Sequence, residues 1–304
     1  MSRKFKLLRI INFLFILSII FFNSGRIFSS EEKKFEPSGK LISIGTHKLH
    51  FHCSGKGEKT FILEAGIGAN HLDWSKLQPK LSKRFKVCSY DRTGYGWSER
   101  GPKPRDAETI SIELAKAIDN LSLSTPIIIV GHSFGGIIAM VMQKKFSNLV
   151  DSIVLLDSMH PEQYERFEKN NIDVPVEPTR AIIYSSPDVL TYGIPDEKKK
   201  EAYFLAKTEK TRSFMYNEMR NMEKSLKQVN FVKNKKTLVF THARRDWDSH
   251  SIDGKMEDIW FDLQNDLAKK LDGELVVVPD AGHQMQLENY NFINKKLLEF
   301  SENF

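Results

Sequence analysis

From Lys40 onward the chain alternates between two hydrophobic rhythms. Short β-rich runs at Lys40–Gly45, His47–Cys53, Thr60–Glu64, Phe85–Tyr90, Pro126–Val130, Ser152–Leu156, Thr237–Thr241 and Glu274–Val278 predict eight strands. Several, such as Ile127-Ile128-Ile129-Val130, have no polar face at all. Strands read this way when both faces are buried, as in a parallel sheet covered by helices. Between them lie segments with a helical period. Ala107–Leu121 places Ile110, Ile112, Leu114, Ala117, Ile118 and Leu121 along one side, and Phe134–Phe146 and Met256–Leu271 also read as helices. Strands alternating with helices predict an α/β, doubly wound, mostly parallel sheet. The tight Gly45-Thr46 turn predicts that the first two strands pair as an antiparallel hairpin.

One interval breaks the alternation. From Ser158 to Lys236 no strong strand appears, yet the segment is too long for a bare loop. Its middle, Asp196 to Lys227, is charged and helix-prone. Tyr203, Phe204, Phe214, Met215, Met219 and Met222 fall at helical spacing there. They predict the buried face of a few short helices, some of whose side chains also line a substrate pocket if the segment is a lid.

Ahead of this pattern stands a different one. Residues 1–30 carry Arg3, Lys4, Lys6, Arg9 and Arg26 and no acid, then an apolar stretch from Ile10 to Phe22 broken only by Asn12 and Ser18. Those 13 residues fall short of the ~20 a spanning helix needs and match a signal-peptide core. Asn23-Ser24-Gly25 is the best cleavage site on offer, so an uncleaved anchor through residues 7–22 stays open. Either way the domain is expected to be exported, periplasmic or extracellular, with membrane attachment as the further option. This segment holds most of the net charge of +6, leaving +1 for the rest. The body therefore lacks the basic field a nucleic-acid partner requires.

The chemistry sits on a strand, a sharp turn and a helix. Gly131-His132-Ser133-Phe134-Gly135 is G-x-S-x-G directly after an apolar strand and before a helix. A serine on such a strained turn projects its hydroxyl from the end of the sheet, and the flanking glycines avoid collisions across the turn. Ser133 is thus the candidate nucleophile. It needs a base, and in this architecture the order is serine, acid, histidine. His283, in the Val278–His283 loop leaving the last strand, is the candidate. His160 at the lid boundary is a candidate substrate contact, His242 reads as structural, and His250 sits in a polar loop. Asp246, in the loop beyond Thr237–Thr241, leads as the acid, with Asp157 and Asp248 as alternatives. The oxyanion donors are expected to be the N–H groups of Phe134 and of Ile67, the latter in Glu64-Ala65-Gly66-Ile67-Gly68. His50 and His52 share one strand face and His47 lies on the other, so no third ligand is supplied and no metal site is read. No cofactor is indicated.

These residues resemble the α/β-hydrolase superfamily, serine esterase type, over roughly residues 40–300. Beyond Gly131–Gly136 the likeness rests on Leu63–Gly68, Leu72-Asp73-Trp74, Tyr90-Asp91-Arg92-Thr93-Gly94-Tyr95-Gly96-Trp97-Ser98 and Leu155–Pro161. The likeness extends to exported bacterial members of the superfamily. The resemblance implies a core of residues 38–157 and 237–304, with a helical cap at 158–236 inserted after the sixth strand. It departs from the usual pattern at Ala65 and Ala243. It also places the second strand beside the fourth, bringing Cys53 near Cys88, where export would permit a disulfide. The implied activity is hydrolysis of small-molecule carboxylic esters through an acyl-enzyme on Ser133. Amidase, lipase or acyltransferase chemistry on the same machinery, and a non-catalytic binding protein of this fold, remain open. A serine in this position argues against the superfamily's epoxide hydrolases and haloalkane dehalogenases.

Overall fold

The computed structural model describes residues 35–172, 187–233, 235–245 and 254–302. The N-terminal apolar segment of residues 1–30, and with it the signal or anchor reading, lies outside the described residues, as do Asp246, Asp248 and His250. Among the described residues no helix is long and apolar enough to cross a membrane. Gly39–Phe304 is one compact unit and carries every helix and strand described here.

Its strands are β1 (Lys40–Ser43), β2 (Lys48–Ser54), β3 (Thr60–Glu64), β4 (Lys86–Tyr90), β5 (Ile127–His132), β6 (Val150–Leu156), β7 (Thr237–His242) and β8 (Glu274–Val278). They form one sheet in the order β1-β2-β4-β3-β5-β6-β7-β8. The hairpin β1–β2 and the pair β2–β4 are antiparallel, and all other neighbours are parallel. Every residue of β3, β5 and β7 is buried. That is the reason these strands lack the polar alternation of a half-exposed sheet.

Helices cover both faces. On one, α2 (Ala107–Asn120), α3 (Phe134–Lys145) and the C-terminal end of a later helix, α9 (Lys255–Lys270), pack on Ile62, Ile129, Ile153 and Val239. On the other, α1 (Gln78–Leu81) and the C-terminal α11 (Tyr290–Glu302) pack on Phe61, Val130, Val154 and Phe240. The core is thus split in two by the sheet. Asp106 caps α2 by accepting the Thr109 N–H, which fixes where that helix starts.

Between β6 and β7 the described residues hold five helices and no strand: α4 (Gln163–Lys169), α5 (Pro187–Leu190), α6 (Asp196–Lys207), α7 (Glu209–Arg220) and α8 (Met222–Lys227). The aromatic and Met pattern read from the sequence is their packing face. Phe214 and Met215 pack on Tyr95, while Met222 and Leu226 join the cluster over α2. The remaining short helix is α10 (Met285–Glu288).

Cys53 and Cys88 sit directly opposite each other on β2 and β4, 4.1 Å apart at Cα, and are joined as a disulfide. The bond closes a loop with a sequence separation of 35. Chain-entropy arguments give such a loop about 4 kcal/mol of stabilisation. Thiol titration of the unfolded, unreduced protein is expected to find no free thiol, and reduction to lower the denaturation midpoint accordingly. Two reactive thiols before reduction would contradict the pairing.

Candidate active site

Ser133 sits at the carboxyl end of β5, where strand turns into helix. Its backbone holds φ 54° and ψ −120°, a conformation that costs a non-glycine residue about 1–3 kcal/mol. The surroundings hold it there. Its N–H donates to the Leu156 carbonyl at 3.1 Å, and its carbonyl accepts from the N–H groups of Gly136 (3.0 Å) and Met159 (3.1 Å). The turn is too tight for side chains at its flanks. A Cβ on Gly131 would lie 2.5 Å from the Gly135 carbonyl oxygen, and one on Gly135 would lie 2.3 Å from that of Glu64.

His283 reaches this place from the loop after β8. Its carbonyl accepts from His132 Nε2 at 2.8 Å, and the two rings stand 4.7 Å apart, which fastens His283 to the residue beside Ser133. Burial pushes the His132 pKa down to about 3, so this ring is a neutral donor and not a competing base. His283 Nδ1 donates to Asp157 Oδ2 at 2.6 Å, leaving Nε2 as the acceptor nitrogen.

Asp157 is therefore the carboxylate that the His283 ring reaches. The sequence favours Asp246, with Asp157 as an alternative. Asp246 and Asp248 lie outside the described residues, and Asp157 is the carboxylate on His283. It closes β6, is fully buried, and adopts a positive φ of 46° that turns its side chain across the ends of the parallel strands. Its N–H is fixed by the Phe240 carbonyl at 2.9 Å. Burial opposes its ionisation. The hydrogen bonds from His242 and His283 outweigh that and hold the carboxyl well below the usual carboxylate range. Trp260 Nε1 donates to Oδ1 at 2.9 Å.

The loop after β3 passes over the serine. A Cβ on Gly66 would lie 3.3 Å from Ser133 Cβ and 3.1 Å from His132 Nδ1, so any side chain there would crowd Ser133. The next residue is Ile67, whose N–H has no hydrogen-bond partner among the described residues. Phe134 opens α3, so its N–H has no acceptor within its own helix. Two such donors flanking a serine can hold a negative oxygen.

What steadies this loop is not legible in the sequence. Arg92, inside the Tyr90–Ser98 run, is buried and engages all five of its N–H donors. It reaches the carbonyls of Ala65 (2.6 Å) and Gly66 (2.8 Å), Glu64 (2.7 Å), and both carboxylate oxygens of Glu218 on α7 (2.9 and 3.0 Å). Tyr95 and Tyr90 donate to Glu218 and Glu64. Burial pushes the Glu64 carboxyl up to about 7 despite the Arg92 charge. Removing one partner of a buried ion pair costs about 3–5 kcal/mol. Arg92→Ala is expected to lose that much in a denaturant titration, and Arg92→Lys to recover little, because an ammonium cannot serve the same fork. A loss under about 1 kcal/mol for Arg92→Ala would show that the cluster does not hold the loop.

A cavity of about 160 Å³ opens beside the loop, between Ile67, Gly68, Gln284 and the helices after β6, whose Leu190, Arg212 and Met215 line it. His160 does not face it. Its Nδ1 accepts from the Glu162 N–H at 2.9 Å and its Nε2 lies 3.2 Å from Asp266, so the substrate-contact reading does not hold for it. His50 stays in the core. Its Nδ1 donates to Asp91 at 2.8 Å, as does His71 Nδ1 at 3.0 Å. That trio has the spacing of a metal-ligand set. Asp91 is already filled by these rings and by the His71 and Trp97 N–H groups, which is the pattern of a structural hub.

Residues 59–249 match the alpha/beta hydrolase fold family. Among curated relatives, the uncharacterized protein YbdG of Bacillus subtilis is 30% identical over 137 residues, covering 44% of this chain and 42% of that protein. The chain thus spans less than half the length of this relative. Among solved structures, Cfl2 from Burkholderia cenocepacia superposes with a TM-score of 0.67 at 17% identity, covering 86% of this chain and 94% of that one. A thermophilic esterase from Thermogutta terrifontis gives 0.62 at 19% identity, covering 87% and 99%. At these identities the superpositions speak for the fold alone. Sheet order, strand–serine–helix turn and family match agree, and the chain belongs to the alpha/beta hydrolase fold family.

Proposed function

We propose that the protein is a serine hydrolase that cleaves carboxylic esters through an acyl-enzyme on Ser133, with His283 as general base and Asp157 as the acid that orients it. The observation that carries this reading is the 2.6 Å bond from His283 Nδ1 to Asp157, made by a histidine fastened beside a serine in a strained turn. In the reaction His283 Nε2 takes the hydroxyl proton as Ser133 attacks the ester carbonyl. The Ile67 and Phe134 N–H groups receive the oxyanion, His283 returns the proton to the leaving alcohol, and water releases the acid by the same steps. The helices after β6 form a cap whose Leu190 and Met215 give the acyl group an apolar wall.

The similarity to an esterase structure accords with this chemistry. The Cys53–Cys88 bond accords with an oxidising compartment, and so with export directed by residues 1–30.

A panel of p-nitrophenyl esters of graded chain length, run beside the matching anilides, tests the reading. Ester turnover with anilides slower by about 100-fold or more is the expected result. Failure to turn over any ester, with the protein folded and oxidised, would remove the esterase assignment.

A further inference from the structure

Behind the candidate acid stands a second histidine. His242 ends β7 and is buried. Its Nδ1 donates to Asp157 Oδ2 at 2.7 Å, the same oxygen that His283 Nδ1 reaches at 2.6 Å. Its Nε2 lies 2.9 Å from Glu257, a buried residue in the first turn of α9. Both ring nitrogens therefore point at carboxylates, and a ring can satisfy two carboxylates only as the doubly protonated imidazolium. Carboxylate and imidazole alternate along one line: Glu257, His242, Asp157, His283.

We propose that His242, acting with Glu257, is a positioning residue for the catalytic base: its cation anchors Asp157 Oδ2 and tempers the pull of that carboxylate on the His283 proton. This inference rests on the Ser133–His283–Asp157 reading above.

The physical case has three parts. First, an anchored oxygen holds the His283 ring in one orientation, which a lone carboxylate with a free rotor does not. Second, an isolated buried carboxylate beside His283 would stabilise its protonated, inactive form. A cation sharing that oxygen opposes this effect. Third, the cation survives burial because it is flanked on both sides. Burial works against it, but Asp157 and then Glu257 raise its pKa to about 9.

Two arginines near His242 are paired with other carboxylates. Arg245 pairs with Asp258 at 2.9 Å and Arg244 with Glu288 at 2.7 Å, while Trp260 contributes an uncharged donor to the far oxygen of Asp157. Among the described residues Asp157 from β6 and Glu257 from α9 reach the ring nitrogens of His242, His283 shares Asp157 with it, and Asp258 and Asp262 of α9 line the same hollow.

Two readouts test the proposal. The first is nitrogen-15 NMR of the histidine rings, which needs no turnover. In the wild type His242 is expected to stay doubly protonated at pH 7.5, and in Glu257→Gln its titration is expected to fall by about one pH unit or more. In His242→Asn, which keeps a donor but loses the charge, the His283 titration is expected to rise by about one pH unit. The second is the acid limb of kcat/KM for ester hydrolysis, which should move upward with it in His242→Asn. A merely structural role would lower activity and stability and leave both midpoints in place. A wild-type His242 ring that is neutral at pH 7.5, or a His283 midpoint equal in wild type and His242→Asn, overturns the proposal. If His242→Asn fails to fold, an unmoved His242 titration in Glu257→Gln does so. Absence of ester turnover with the NMR shifts present would instead count against the esterase reading alone.

Discussion

Replacing Ser133 by alanine is expected to lower ester hydrolysis by about 10,000-fold to a million-fold and to leave thermal stability nearly unchanged. Each tenfold step is about 1.36 kcal/mol, so the serine and the groups acting with it supply roughly 5–8 kcal/mol of transition-state stabilisation. The loss is not expected to be total, because in the proposed mechanism the Ile67 and Phe134 N–H groups and the helices after β6 remain to bind the reacting ester. Stability should hold because the substituted alanine inherits the same turn, with the backbone N–H still bonded to the Leu156 carbonyl and the carbonyl still accepting from Gly136 and Met159. Steady-state kinetics with a p-nitrophenyl ester, paired with a thermal melt, separates the two quantities. A variant that keeps a tenth of the wild-type rate would place the chemistry elsewhere.

The second large effect is expected at Asp157. Asn at this position is close in shape, but one end of it is an NH2 group: with the oxygen toward His283 and His242 that group meets the Trp260 Nε1–H, and flipped it faces the two rings and offers them no acceptor. The base would take the wrong tautomer, with its proton on Nε2 facing the serine, and kcat at neutral pH should fall by about 10,000-fold. Asp246→Asn should change kcat by less than about tenfold, because His283 Nδ1 is already committed to Asp157. The two variants measured side by side decide between the acids. A small effect at Asp157 and a large one at Asp246 would return the assignment to the residue that the sequence favours. Asp157→Asn also strips His242 of one of its two carboxylates, so a moderate loss of stability should accompany the loss of rate.

The proposed nucleophile is legible in the sequence because its signal is local. Strand, glycine, serine, glycine and helix follow one another within a short stretch of chain, and the strain at Ser133 is written in the glycines beside it. His283 is legible because a loop leaving the last parallel strand must return over the carboxyl end of the sheet. The acid is harder for a physical reason. Asp157 and Asp246 follow two neighbouring parallel strands, β6 and β7, so both loops leave the same edge of the sheet. What brings Asp157 onto the base is the positive φ that turns its side chain sideways, and no periodicity encodes that.

The supporting residues are hidden for a different reason. Arg92 meets Glu64 and Glu218, which are 28 and 126 positions away. His242 meets Asp157 across 85 positions and Glu257 across 15. Buried polar networks of this kind are set by tertiary approach and leave no pattern in the chain. The weak clue is composition in place: Arg92 follows Asp91 in a run of otherwise small and aromatic residues, and His242 ends an apolar strand where a polar ring has to find partners.

The proposed chemistry stands or falls with Ser133 as the activated nucleophile. A fluorophosphonate probe followed by intact mass and peptide mapping tests it most directly, since the reagent reports nucleophile activation without choosing a substrate. One adduct per chain is expected, on Ser133, formed rapidly in the wild type, slowly in Asp157→Asn and not at all in Ser133→Ala. An unlabelled wild type, or an adduct that persists in Ser133→Ala, would contradict it.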